Sequence, residues 1–290
     1  MRARAPASSA NLGPGFDTLA LALALYVEVE VEPADELILH TEGEGSELPT
    51  DATHMAIRVA REVAGHDRLA ITVRSQIPVS RGLGSSAALA AATAAAAGAS
   101  DPLAVAARVD GHPENAAASV LGGLVTATTI ERRPLAARLA LDPELRFVVL
   151  IPSRALATSR ARGALPAQVP HVDAAFNLGR MGMLVAGLAD RRLLVREATD
   201  DRLHQGARTP LFPESTHLLA GLLDAGALAT AWSGAGPSML AICAAANAGR
   251  VRAAGDQLMA EAGVPGSSVL LEADLGGITI EGPPKSASDG

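Results

Sequence analysis

The chain has 290 residues, a formal charge of −7, and 49% apolar but only 2% aromatic residues. That length allows two domains with a substantial core, and the acidic balance argues against a broad nucleic-acid surface. Its one lysine, Lys285, leaves no Gly-Lys-Ser/Thr for a Walker-type loop and argues against lysine Schiff-base catalysis; its one cysteine, Cys243, excludes an internal disulfide and a cysteine-rich metal site.

The early apolar stretch is interrupted by Asn11, Gly13, Pro14 and Asp17, so no secretory signal is expected, and the alanine-rich run 87–97 is too short and weakly hydrophobic to span a bilayer. The expectation is a cytoplasmic protein without a membrane partner. Residues 27–31 alternate valine and glutamate as a half-buried strand does, with 37–40 as the expected hairpin partner. A helix is expected over 56–64 and a strand over 69–73. The segment Pro78-Val-Ser-Arg-Gly-Leu-Gly-Ser-Ser-Ala-Ala88 then joins that strand to the alanine-rich helix. Glycines followed by serines at a helix start expose several unpaired N–H groups, and the helix dipole adds positive potential, which makes a natural anion site. Without a lysine, such a site relies on backbone amides, hydroxyls, arginine and a metal ion.

Asp101 caps the next expected helix, with Pro102 in its first position, running to about Val109. A strand follows at 124–130, and the charged, proline-bearing residues 131–143 mark the expected domain boundary. The second half opens with a strand at 147–151. Helices are expected over 172–189, from Pro213-Glu214 and over 248–262, with strands at 229–233, 238–244, 268–272 and 278–280. Cys243, within an apolar run, reads as a core residue. The order of elements favours two α+β layers over a regular βαβα series.

Two further glycine-bearing segments matter. Pro6-Ala-Ser-Ser-Ala-Asn-Leu-Gly-Pro-Gly-Phe-Asp17 permits close approach of backbone to ligand and offers the amide of Asn11 and the carboxylate of Asp17. Trp232-Ser-Gly-Ala-Gly-Pro-Ser238 is a tight turn between strands, and taken singly it reads as a turn and nothing more. The loop Arg81-Gly-Leu-Gly-Ser-Ser86 lacks the third glycine, and the acidic residue about 20 positions on, of a dinucleotide fold.

Jointly and in this order, the three segments resemble the motifs of the GHMP kinases, and within them the first is most like the homoserine kinase branch. Gly111-His-Pro-Glu-Asn115 is similar to that branch's Gly-His-Pro-Asp-Asn. Thr158-Ser-Arg-Ala-Arg162 with Ala164-Leu-Pro166, and Asp201-Arg-Leu-His-Gln-Gly-Ala-Arg208, resemble two more of its stretches. The resemblance covers residues 3 to about 280. It implies an α+β, two-domain GHMP kinase fold: an N-terminal ATP-loop domain over 1–143, a C-terminal ferredoxin-like α/β sandwich domain over 144–281, and a flexible tail over 282–290.

The activity it implies is ATP-dependent phosphorylation of the L-homoserine hydroxyl, a step towards threonine. Arg162 and Arg208 would hold the substrate carboxylate, and Asn11 and Asp17 the ammonium. Asn115 would lie near the hydroxyl, with His112 and Gly234 lining the pocket. Pro78, Val79, Ser80, Arg81, Gly82, Leu83, Gly84, Ser85 and Ser86 would form the ATP loop. Ser86 and Asp110 would hold Mg²⁺, Asp110 standing where relatives often carry glutamate. No aspartate base is evident beside the hydroxyl, so Thr158, Asn115 and Arg162 are the catalytic candidates. Gly206-Ala207 replaces a usual Pro-Tyr and is expected to loosen the backbone that presents Arg208. A GHMP kinase acting on a mevalonate- or shikimate-like alcohol, a silent ligand-binding homologue, and a homodimer all remain open.

Overall fold

The computed structural model describes residues 1–282; the rest of the expected tail, Lys285 included, lies outside the described residues. The first sheet contains β1 (Arg2–Asn11), β2 (Gly15–Pro33), β3 (Ile38–Gly43), β4 (Leu69–Ser75), β5 (Leu124–Ile130), β6 (Arg133–Leu139) and β11 (Thr279–Glu281). Its main path runs β11-β1-β2-β4-β3, and β5 pairs with both β2 and β6. Four helices accompany it: α1 (Met55–Ala64), α2 (Ser85–Ala96), α3 (Pro102–Asp110) and α4 (Pro113–Leu121). The second sheet, β10 (Gly266–Leu271), β7 (Leu145–Pro152), β9 (Met239–Ala244) and β8 (Ala229–Trp232) in that order, is antiparallel throughout. Between β7 and β8 lie α5 (Thr158–Gly163), α6 (His171–Ala189), α7 (Gln205–Arg208) and α8 (Ser215–Asp224); α9 (Ala245–Glu261) joins β9 to β10. In chain order this strand arrangement is 4-1-3-2, that of a ferredoxin-like βαββαβ unit.

The long strand β2 organises the first sheet. Its N-terminal part pairs with β5 through Leu19–Leu21 and its C-terminal part with β4 through Val27–Pro33, while β1 runs along the opposite edge. Both edges near Val27–Val31 are therefore taken. Residues 37–40 do not form the expected hairpin with them; β3 instead pairs with β4 in parallel, Ile38 opposite Ala70. The charged run expected to separate the domains also differs, because Arg133–Leu139 forms β6. As an edge strand paired only to β5, it tolerates Pro134. The chain changes sheet between Leu139 and Leu145, and β11 brings it back to pair with β1.

Alternation along β7 shows how the second sheet is sandwiched. Phe147 and Val149 join the core shared with the first sheet, whereas Val148 and Leu150 face a second core built with α8 and α9. Cys243 is buried in that second core, where burial pushes its thiol up to about 12.

Helix α2 is wrapped by protein. Ala87, Ala88, the run from Ala90 to Ala92, Thr93 and the run from Ala94 to Ala96 are all buried, and the helix packs on β1, β2, α1, α3 and α4. Small side chains let five neighbours approach one helix closely. This packing anchors the end of α2 that faces the cleft. Ala91 is fully buried among Val59, Ala106 and Ala116. Ala91→Leu forces extra methylenes into that space and is expected to cost about 1–3 kcal/mol in urea unfolding; an unchanged midpoint would show the helix to be loosely packed.

Candidate active site

The loop between β4 and α2 has its carbonyl groups pulled back into the protein. Ser80 O accepts from Leu156 N (3.1 Å), Arg81 O from Ser238 N (3.2 Å), and Leu83 O from Ser8 N (3.0 Å). Gly82 O accepts from the Ser233 hydroxyl (2.7 Å). Four consecutive carbonyls are thus held by three different segments. The first bond of α2 runs from Ala88 N to Gly84 O (2.9 Å), so the amides of Ser85, Ser86 and Ala87 precede the helical ladder and have no intrahelical acceptor. Gly84, the N-cap, has φ +64°, and a Cβ there would strike the Ser8 hydroxyl; at Gly82, φ +79°, it would strike the Ser233 carbonyl. Only glycine fits this close approach.

The Arg81 side chain does not face the cleft as a free cation. Its Nε donates to Pro152 O (2.9 Å), Nη1 to Val79 O (2.9 Å) and Nη2 to Ser153 O (2.5 Å). It is a clamp between the loop and the end of β7, so the anion site depends on backbone amides, the Ser85 and Ser86 hydroxyls and the α2 dipole.

The opposite wall is built where β1 turns into β2. Asn11, Leu12 and Asp17 all have positive φ, an uncommon conformation for non-glycine residues that concentrates at functional sites. Asn11 Nδ2 donates to Gly234 O (2.9 Å), and its Oδ1 accepts from Asp17 N (3.1 Å). Asn11 therefore positions Asp17. Arg162, on α5, reaches the Asp17 carboxylate with both terminal nitrogens, Nη2–Oδ1 2.5 Å and Nη1–Oδ2 3.1 Å.

Arg208 is 1% exposed. Its Nη1 donates to Gly234 O (2.9 Å) and to His204 Nδ1 (3.0 Å). An arginine can only donate, so His204 Nδ1 accepts and the proton resides on Nε2, which donates to Gly13 O (2.8 Å). Burial holds His204 neutral, down to about 4, and burial together with neighbouring Arg162 lowers Arg208 to about 10, still charged at neutral pH.

Side-chain hydrogen bonds surround Gly206-Ala207 on the segment that presents Arg208. Asp201 caps the turn ahead of α7, its carboxylate accepting from the backbone N–H groups of Leu203, His204 and Gln205 and from Asn177 Nδ2. Gln205 bridges Trp232 N and Thr199 O, and Gly206 is exposed with nothing near the place of a Cβ. Six hydrogen bonds, four at the Asp201 carboxylate and two at the Gln205 side chain, tie this segment to its surroundings.

Between the two walls stand Ser86, Asp110, His112 and Asn115, with Thr158 exposed at the rim on the first residue of α5. Burial raises the Asp110 carboxyl above its usual range, and the Ser86 hydroxyl beside it partly offsets this. A hydroxyl and a carboxylate oxygen are donors that suit Mg²⁺. Among the described residues no three His, Cys, Asp or Glu side chains are grouped to hold a metal ion, so an ion here would share its coordination with phosphate oxygens and water, as magnesium prefers.

Each site residue expected from the sequence lines one cleft of about 500 Å³: Asn11 and Asp17, the loop from Pro78 to Ser86, Asp110, His112, Asn115, Thr158, Arg162, Arg208 and Gly234. Ser8, Glu114, Asp201, His204 and Gln205 escaped attention as site residues. All five fall inside the quoted motif segments, so their positions were legible, but their roles depend on partners far away in the chain.

The model of the GHMP kinases N terminal domain matches residues 52–123, and that of the GHMP kinases C terminal matches residues 184–261. The chain is similar to the homoserine kinase of Rhodococcus erythropolis, 42% identical over 83% of this chain and 85% of the relative, and to that of Streptomyces avermitilis, 43% identical over 88% and 90%. A crystal structure of homoserine kinase from Cytophaga hutchinsonii superposes with a TM-score of 0.86 at 26% identity, covering 96% of each chain.

The buried imidazole makes a pH prediction. The unfolded His204 titrates near 6.5 and the folded one near 4. Between those values the unfolded chain binds a proton that the folded chain refuses. The contribution is fully present above pH 6.5 and declines by roughly 1.4 kcal/mol per pH unit as pH falls towards 4. In urea unfolding, His204→Gln should therefore lose stability less steeply than wild type between pH 7 and 4.5. Parallel pH slopes would reject a neutral buried imidazole.

Proposed function

Because the chain belongs to the GHMP kinases, in their homoserine kinase branch, we propose that it transfers the γ-phosphoryl group of ATP to the side-chain hydroxyl of L-homoserine, giving ADP and O-phospho-L-homoserine for threonine biosynthesis. The observation that carries this reading is one cleft holding both halves of the reaction. A cradle of backbone amides, without lysine among the described residues, lies on one side, and two arginines beside a carboxylate on the other.

Phosphoryl transfer needs alignment and charge neutralisation more than covalent help from the protein. The amides of Ser85, Ser86 and Ala87 and the α2 dipole hold the phosphates. Ser86 and Asp110 would supply oxygens for Mg²⁺, which would neutralise charge on the transferring group. The apolar outer part of the cleft, with Leu48, Val73, Val79 and Leu89, suits a nucleotide base.

Homoserine is a zwitterion. The Nε groups of Arg162 and Arg208 are buried without a hydrogen-bond partner, so both arginines retain donors for a carboxylate. The ammonium lies towards Asp17, whose strained backbone Asn11 supports. Entry of the substrate replaces the Asp17–Arg162 pair by two new ones, carboxylate to arginine and ammonium to aspartate. Mevalonate lacks the ammonium and would leave Asp17 without its cation.

ADP release should be seen with homoserine and not with mevalonate or shikimate; turnover of another alcohol alone would overturn the assignment. Arg208→Ala should raise KM for homoserine about 10- to 100-fold, the loss of a charge-assisted contact, with little change in KM for ATP. Equal loss for both would remove Arg208 from carboxylate binding. Ser86→Ala should raise the magnesium concentration needed for half-maximal rate, and an unchanged requirement would count against metal contact.

A further inference from the structure

Arg81 belongs to the phosphate loop by sequence, yet the cradle does not need its side chain. The carbonyls of Ser80, Arg81, Gly82 and Leu83 are held by Leu156 N, Ser238 N, the Ser233 hydroxyl and Ser8 N. None of these bonds uses the Arg81 guanidinium. With that side chain removed, the loop backbone keeps all four anchors.

The chain that the guanidinium grips is less well held. Between the end of β7 at Pro152 and the start of α5 at Thr158 there is no regular structure, and Leu156 alone is buried among residues 153–160. Three bonds reach this connector from the phosphate loop. Arg81 Nε donates to Pro152 O (2.9 Å) and Nη2 to Ser153 O (2.5 Å), while Leu156 N donates to Ser80 O (3.1 Å). Elsewhere Ser153 N donates to Pro265 O (2.7 Å), and the exposed Arg154 side chain meets Leu211 O (2.9 Å) and Glu214 (3.8 Å). Arg81 Nη1, on Val79 O (2.9 Å), fixes the guanidinium plane against its own loop. A planar fork with five donors spans three carbonyls in this way, and an ammonium group on a flexible stem does not reproduce it.

The connector leads directly to an acceptor residue. Helix α5 carries Arg162, whose two terminal nitrogens meet Asp17, and α5 is otherwise seated by Ala161, buried in the second core. The position of Arg162 thus follows from Ala161 on one side and from the path of residues 152–156 on the other. Arg81 grips that path at its first two carbonyls.

We propose that Arg81 is a positioning residue for the acceptor: by holding Pro152 and Ser153 it fixes the base of α5 and, through it, the Arg162 guanidinium. This rests on the homoserine kinase reading, in which Arg162 receives the substrate carboxylate. A side chain of the phosphate loop then governs homoserine recognition, and its loss falls on the acceptor more than on ATP.

Homoserine turnover by wild type is measured first, with KM for both substrates, then Arg81→Gln and Arg81→Lys, with thermal melts to verify folding. Arg81→Gln should lower kcat/KM for homoserine about tenfold, less than the about 100-fold that a 1 Å misplacement can cost, with KM for ATP changed less than about threefold. Arg81→Lys keeps the charge but not the fork and should behave like Arg81→Gln. In an Arg162→Ala background the misplaced contact is already gone, so adding Arg81→Gln should lower kcat/KM for homoserine less than about twofold further. Unchanged kinetics in Arg81→Gln, or a loss for ATP as large as for homoserine, overturns the proposal. So do wild-type kinetics in Arg81→Lys (a charge acting on the phosphates), full additivity with Arg162→Ala, and loss of the folded state in both variants (a folding residue). Those outcomes leave the homoserine reading standing; absence of homoserine turnover by wild type overturns both.

Discussion

The peptide at Gly234 is the joint on which the cleft depends. Its carbonyl accepts from Asn11 Nδ2 and from Arg208 Nη1, and its N–H donates to Ala10 O (2.9 Å). One residue earlier, the Ser233 hydroxyl contacts both the Ser9 hydroxyl and Gly82 O. A turn between two strands of the second sheet therefore fixes the end of β1, the phosphate loop and the buried arginine together. Each bond is worth only about 0.5–1.5 kcal/mol net, but several converge in a buried place where an unpaired group would be expensive. The donor and acceptor halves of the site are registered to each other through this joint.

The charge economy follows from the same construction. Among the described residues the cleft has no lysine, so the donors open to an anion are amides and arginines whose geometry is set by their surroundings. Arg81 spends its guanidinium on three carbonyls and stiffens the loop. Arg208 is held by a histidine that accepts its hydrogen bond in the neutral form, which burial favours. On the other side, Asp17, Asp110 and Glu114 bring negative charge close together in a partly buried space. A cationic partner in this space would relieve their mutual repulsion.

Much of the fold was legible locally. Asp101-Pro102 opens α3, with Asp101 Oδ1 accepting from Ala104 N (3.0 Å), and the Val-Glu alternation lies within β2. What escaped was pairing. Residues 37–40 read as a hairpin partner because they are nearest in sequence, but both edges of β2 are occupied. The run Arg132-Arg-Pro134 reads as a linker because strand residues at an exposed edge carry charge and proline without penalty. The site divided in the same way. Asn11, Asp17, Arg162 and Arg208 stand in motifs and were named, whereas His204 and Glu114 lie in the same motifs but have meaning only through the neighbours that bury them.

By itself the sequence determined the chemistry available: a glycine–serine loop ahead of a helix, arginines in place of lysines, and carboxylates at fixed places in three recognisable segments. These are properties of short stretches, set by backbone conformation and side-chain type. Tertiary structure alone decided which groups are free to act. Arg81 became a clamp, Asn11 a support and the Trp232–Ser238 turn a joint, while Glu114 kept an unpaired oxygen in the cleft. The physical reason is that a polar group's role depends on whether its hydrogen bonds are already satisfied, and the groups that satisfy them, such as Ser8 and Asn115 or Asn11 and Gly234, come from distant parts of the chain.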